Sequence, residues 1–247
     1  EPPMSDLNQA LSDRSDLRSA FENFFLFLAQ PGYWWDSKQK IAIATATRTA
    51  SSCDLCALKK NALSRNQVLL AHPETEDLSA LVVDMIHQII TDQGRISEPQ
   101  IMALAESGIS RLAYVELVGI VVCLFSIDEF CRALSQPLIA LPQSQPGLPL
   151  QTQPENLDAN TGYVPMIARD GLTEANQDLW PVGFGANVIR ALSGAPDLVR
   201  QWKRLAAVLY LPLEEMGNLG QAATRRLNRM QMELIAGRIS ALNRCFY

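Results

Sequence analysis

The chain has 247 residues, of which 48% are hydrophobic and 19% charged, enough apolar material for a core and too little charge for wholesale disorder. Twenty-one basic against 26 acidic residues leave a formal net charge of −5, which excludes a basic nucleic-acid footprint and a basic face for anionic membranes. The longest apolar stretch, residues 117–127, lies between Glu116 and Asp128 and falls far short of the roughly 20 residues that span a bilayer.

No secretory pattern opens the chain, and Met4 is expected to be the natural start, with Glu1-Pro2-Pro3 ahead of it as a remnant. Five cysteines are an odd number, scattered too widely for a disulfide scaffold. Reduced thiols and a cytoplasmic location are expected.

Taken in order, the elements are helical. Ser5-Asp6 caps a helix carrying Leu7, Ala10 and Leu11, continued by Leu17, Phe21, Phe24, Phe25 and Leu28. Pro31-Gly32 breaks it. Residues 37–50 are ambiguous: Ile41, Ile43, Thr45 and Thr47 alternate as in a strand, whereas Ile41, Ala44, Thr45 and Arg48 share one helical face. Residues 77–91 carry one apolar stripe, Leu78, Leu81, Val82, Met85, Ile86 and Ile89. Ser97-Glu98-Pro99 starts another helix, Gly108 ends it, and Ser110 caps a long one running to about Leu134. Its middle is apolar all round and is predicted to be a buried central helix. Residues 136–181 are rich in proline, from Pro137 to Pro165, and read as an extended connector. Helical patterns resume at 186–192, 196–210 and 222–242. The predicted fold class is all-α.

Two segments align on a cysteine. IAIATATRTASSC ends at Cys53 and ELIAGRISALNRC ends at Cys245, and an amphipathic helix with a bulky aromatic, Phe21 or Trp202, precedes each. The chain thus reads as one complete helical unit and the opening half of another. Cys53-Asp54-Leu55-Cys56 after a short helix, the long apolar helix from Ser110, and the run from Glu233 to Tyr247 resemble the carboxymuconolactone decarboxylase and alkylhydroperoxidase D superfamily. The resemblance implies an alkylhydroperoxidase D-like helical bundle over residues 5–135, a Pro-rich connector over 136–182, and the start of a second such domain over 183–247. It also favours helix for residues 37–50. The second copy is expected to continue beyond Tyr247.

In alkylhydroperoxidase D-like proteins a C-x-x-C pair at a helix start supplies a peroxidatic and a resolving thiol. A glutamate twelve residues before the first cysteine and a histidine four after the second relay protons. A helix N-terminus lowers a thiol pKa, the thiolate attacks peroxide to give a sulfenic acid, and the second thiol closes a disulfide. The resemblance therefore implies Cys53, Cys56, Cys245 and Glu233 as catalytic residues. The first copy departs from the pattern, with Ile41 in the glutamate position and Lys60 in the histidine position, while Arg48 and Lys59 lie nearby. The second copy keeps Glu233 twelve before Cys245, and its second cysteine and histidine would fall past Tyr247.

The expected function is thiol-dependent peroxidase-like reduction of a peroxide or other small oxidant, with a thiol or dithiol electron donor and no cofactor. The alternatives are a decayed scaffold of the same fold, favoured by Ile41 and Lys60, and a lactone decarboxylase, disfavoured by the C-x-x-C pair. A homo-oligomer is expected, and no nucleic-acid or membrane partner. A zinc reading of Cys53-x-x-Cys56 lacks a second pair, since Cys123 and Cys131 stand eight apart on an apolar helix and suit a core. No metal ligands are expected: neither His72, before a proline, nor His87, on a helix, has a ligand partner by spacing. Trp34-Trp35 suits core packing, and Glu233 also suits a surface ion pair with Arg229.

Overall fold

The computed structural model describes residues 11, 13–181, 183–217, 225–243 and 245; the helix start expected at Ser5-Asp6 lies outside them. Six helices come first: α1 (Ser15–Ala29), α2 (Ser37–Ala50), α3 (Asp54–Asn61), α4 (Ala80–Thr91), α5 (Glu98–Glu106) and α6 (Arg111–Ala133). Strands β1 (Leu157–Asp158) and β2 (Met166–Ile167) pair antiparallel. Helices α7 (Asn187–Arg190), α8 (Pro196–Leu209) and α9 (Arg229–Leu242) follow. The structure is mostly helical, as the sequence pattern requires. No single helix among the described residues is long and apolar enough to cross a membrane. The chain divides into two compact units, residues 1–202 and 203–247.

In the first unit the ambiguous segment is a helix, and its cap explains the choice. The Asp36 carboxylate accepts from the Gln39 N–H at 2.9 Å, and the Gln39 side chain accepts from the Asp36 N–H at 3.1 Å, a reciprocal pairing that satisfies two orphan donors. The hydroxyls of Thr45 and Thr47 donate to the carbonyls four residues back, so the β-branched residues fit within the helix. Lys40, Ile43, Ala44, Thr47 and Ala50 are buried, which is helical spacing. This face packs on α1, α4 and α6.

Helix α6 begins as expected, with the Ser110 hydroxyl accepting from the Ala113 N–H. Gly108 ends α5 with φ +95°, a conformation glycine adopts at no steric cost. Leu117, Ile120, Val121, Leu124 and Ile127 of α6 are fully buried, and Val122 is left partly exposed. Phe21 meets Phe130 edge-on at 5.5 Å. Cys123 and Cys131 are buried in this core, and so is Trp35, whose indole N–H donates to the Ala113 carbonyl.

Four charged side chains fix the packing of α1, α2 and α6. Glu116, fully buried, accepts from the backbone N–H groups of Tyr33 and Trp34 at 3.1 and 2.6 Å. Lys40, also fully buried, donates to the Phe27 and Gln30 carbonyls at the end of α1, groups a helix terminus leaves without partners. Arg48 grips the buried Asp128 through two bonds of 2.9 and 2.8 Å.

The proline-rich segment is extended over residues 136–154 and then carries the β1–β2 pair, with Met166, Ile167, Leu179 and Trp180 buried, so it is a packed part of the first unit. Backbone N–H groups of Gln145, Leu150 and Gln151 donate to the carbonyls of Ala29, Gly32 and Tyr33. Further along, the Ser193 hydroxyl accepts from Ile167 N–H, and Arg190 donates to the Ile167 carbonyl.

In the second unit Arg225 donates to the carbonyls of Ala207, Val208 and Tyr210. The two cysteine-aligned segments share local form. Helices α2 and α9 both have 14 residues, and each ends three residues before its cysteine. They differ in burial, because Met230, Leu234, Ile235, Ile239 and Leu242 of α9 are exposed.

Two measurements test this core. A β-carbon on Gly32 would lie 1.8 Å from Glu116 Oε1, so Gly32→Ala is expected to lose about 1–3 kcal/mol in denaturant unfolding. Burial pushes the Lys40 ammonium down to about 8, whereas an unfolded lysine titrates near 10.4. Between those values the unfolded chain holds more protons than the folded one, so stability rises with pH across that window. Lys40→Met is expected to remove this rise, read as the wild-type minus variant difference in unfolding free energy.

Candidate functional site

The chain leaves α2 at Ala50, turns through Ser51-Ser52, and places Cys53 at the N-cap of α3 and Cys56 in its first turn. Asp54 in the first turn and Lys59 and Lys60 in the last complement the helix dipole. The end of α3 is held from outside: Arg95 donates to the carbonyls of Lys59, Lys60 and Ala62. Both cysteines are free thiols. Cys53 is half-buried and Cys56 buried.

The two histidines to which spacing assigns no partner meet these sulfurs. His72 comes from the loop between α3 and α4, and its Nε2 lies 3.4 Å from Cys53 Sγ and 3.3 Å from Cys56 Sγ. His87 comes from α4, with Nδ1 3.3 Å from Cys56 Sγ. The two rings stand edge to face, 4.3 Å apart. The ligand partners that spacing denies these histidines are supplied by tertiary packing: α4 lies beside α3, and the intervening loop folds His72 inward. All four donor atoms of Cys53, Cys56, His72 and His87 fall within 4.8 Å of one another, making them the one such group of three or more among the described residues.

A second layer orients the rings. Asp84, one turn before His87 on α4, accepts from His72 Nδ1 at 2.9 Å, which leaves Nε2 as the lone-pair nitrogen facing the sulfurs. Lys59 and Arg65 both hold the Asp84 carboxylate, and Arg65 also reaches Asp92 at 3.3 Å. The Thr49 hydroxyl lies 3.5 Å from His87 Nε2 and donates to the Ala46 carbonyl. It therefore takes the His87 N–H as acceptor and turns the free lone pair of Nδ1 toward Cys56.

Electrostatics follow from this burial. Burial, with the neighbouring Cys53, pushes the Cys56 thiol up to about 11. Burial lowers His72 despite Asp84, and burial together with His72 lowers His87 to about 4. Burial raises Asp84, but Lys59, Arg65 and His72 outweigh it and hold the carboxyl below its ordinary value. The centre thus holds two neutral imidazoles, one anionic carboxylate and a protonated Cys56.

Cys53 opens onto a cleft of about 820 Å³, whose wall includes Ile41, Ala42, Thr45, Thr49, His72 and Val83. Ile41, in the position the resemblance assigns to a glutamate, is a cleft-wall residue. Lys60, in the histidine position, is exposed on α3. In the second unit Glu233 is exposed and paired with Arg229 Nε at 2.6 Å and with the Tyr210 hydroxyl, and Cys245 is exposed. The functional candidates that sequence reasoning missed are His72, Asp84 and His87. Their one legible trace is the pair Asp84 and His87, polar residues three apart in the apolar run of α4.

Comparison with family models, with curated proteins and with solved structures returned no match.

Accessibility orders the thiols. With an alkylating reagent on the folded reduced protein, Cys245 and Cys53 are expected to react first and Cys56 much more slowly, with Cys123 and Cys131 reacting only after denaturation. Peptide mass spectrometry over a time course reads this order, and early labelling of Cys56 would contradict it.

Proposed function

We propose that Cys53 and Cys56 form a dithiol–disulfide couple that reduces a peroxide or a related small oxidant, with His72 as proton carrier. The observation that carries this reading is the contact of one imidazole nitrogen, His72 Nε2, with both sulfurs, while Asp84 holds the other nitrogen.

The roles follow from position. Cys53, on the cleft, is the attacking sulfur. His72 Nε2 takes its proton, and Asp84 stabilises the resulting imidazolium, as a carboxylate behind a catalytic histidine does. The Cys53 thiolate attacks the distal peroxide oxygen, the O–O bond breaks, and Cys53 becomes a sulfenic acid. The leaving alkoxide takes the proton from His72. Cys56 then attacks the Cys53 sulfur, an S–S bond forms, and hydroxide leaves to be protonated to water by the proton Cys56 gave up. Two thiols and one hydroperoxide thus yield a disulfide, an alcohol and water. An external thiol or dithiol returns the pair to the reduced state.

This assignment answers the departures at Ile41 and Lys60. The acid–base function that the resemblance assigns to a glutamate and a histidine falls here to Asp84 and His72, which reach the thiols from other segments. The apolar wall of the cleft favours an organic hydroperoxide.

Exposure to an organic hydroperoxide is expected to remove two thiols per chain and to form a Cys53–Cys56 disulfide, mapped by mass spectrometry. Cys53→Ser abolishes the reaction, Cys56→Ser stops at a trappable sulfenic acid on Cys53, and His72→Gln slows oxidation by about 10²–10⁴-fold. Undiminished peroxide consumption by Cys53→Ser would remove the reading.

A further inference from the structure

The same four side chains carry a second chemistry that does not depend on the first. We infer that Cys53, Cys56, His72 and His87 bind one Zn²⁺ ion in a closed, four-coordinate site.

The edge lengths come first. A tetrahedral zinc with Zn–S of about 2.3 Å and Zn–N of about 2.0–2.1 Å has sulfur–nitrogen edges of roughly 3.5 Å. Three of the four sulfur–nitrogen separations are 3.4, 3.3 and 3.3 Å, and no donor atom, including those of the fourth pair, Cys53 and His87, is farther than 4.8 Å from another. Two thiols and two imidazoles are a ligand set that selects zinc over hard, oxygen-seeking cations.

Ring orientation is the second, independent observation. A metal-bound histidine presents one nitrogen to the ion and donates from the other to a carboxylate, a carbonyl or a hydroxyl, which fixes the tautomer. Both rings are already arranged this way. His72 donates from Nδ1 to Asp84 and turns Nε2 inward, and His87 sets Nε2 3.5 Å from the Thr49 hydroxyl and turns Nδ1 inward. A pair of histidines packed only to fill a core has no need of two inward lone pairs converging on the same two sulfurs.

Charge agrees. Lys59 and Arg65 are engaged by Asp84 and Asp92, and two thiolates neutralise the ion. The ligands come from a helix start, a loop and a second helix, so the ion would tie three segments together. All four positions are protein ligands, which makes the site structural, and both sulfurs are withheld from oxidants while the metal is bound.

The test uses the full chain, reduced and stripped of metal in the absence of oxygen. Titration with Co²⁺ is expected to saturate at one ion per chain, with thiolate-to-cobalt charge transfer and the strong visible bands of tetrahedral cobalt, and Zn²⁺ is expected to displace it. Cys53→Ser and Cys56→Ser each lose about half of the charge-transfer intensity, and Asp84→Asn weakens Zn²⁺ binding about 10–100-fold with the spectrum retained. Cys53→Ser keeps the result readable if deeper variants misfold, because serine is a favoured N-cap. No cobalt uptake, or a spectrum unchanged by the cysteine variants, would overturn the inference. Peroxide-driven disulfide formation without metal uptake would leave the dithiol reading standing alone. Metal uptake by a chain whose metal-free form ignores peroxide would do the reverse.

Discussion

The first unit depends at its functional end on a single carboxylate. Asp84 receives His72 from the loop, Lys59 from α3 and Arg65 from the turn that follows α3. Each of these groups is costly to bury alone, and one acceptor on α4 is shared by all three, with Asp92 as a second partner of Arg65. A half-buried charge of this kind does not add much net stability over an apolar substitute, but removing it strands its buried partners. Its value is specificity of arrangement. With Asp84 in place, His72 has one tautomer and one orientation, and the loop has one way to close.

The rest of the core follows the same logic with different charges. Glu116 and Lys40 each satisfy backbone groups where α1 ends and the chain turns into α2, so that turn is built by side chains from α6 and α2. Arg48 and Asp128 then lock α2 against α6. Because α2 ends at the cysteine turn, these contacts set where Cys53 emerges. The positions of the sulfurs are thus determined partly by polar groups that never touch them.

Much of the fold was legible because it is local. Ser110 as a cap, Gly108 as a stop and the apolar stripe of α4 report directly on backbone geometry. Residues 37–50 were not decided by periodicity, since Ile41, Ile43, Thr45 and Thr47 satisfy a period of two as well as a helix; the Asp36–Gln39 capping pair and burial of Lys40, Ile43, Ala44 and Thr47 decide it in the structure. The cysteine pair was legible at the same local range. The histidines were not, because His72 lies 16 residues beyond Cys56 and His87 a further 15, and those separations carry no geometry of their own until α3 and α4 pack side by side. Searching for a proton carrier at fixed distances from the cysteines points to Ile41 and Lys60, a cleft wall and a solvent-facing side chain. In space the two histidines reach within 3.4 Å of the sulfurs from other segments. The proline-rich segment was legible as extended, but its backbone bonds to Ala29, Gly32 and Tyr33 belong to tertiary structure.

The loop between α3 and α4 links this chemistry to the protein's exterior. It displays Leu63, Leu69 and Leu70 to solvent, at 95%, 92% and 64% exposure, and it is pinned inward by Arg65 and His72, at 7% and 3%. Apolar side chains held outward give such a loop no grip of its own. Because His72 is both the inward anchor of this loop and the contact to the sulfurs of Cys53 and Cys56, three solvent-facing leucines and the cysteine turn share one tether.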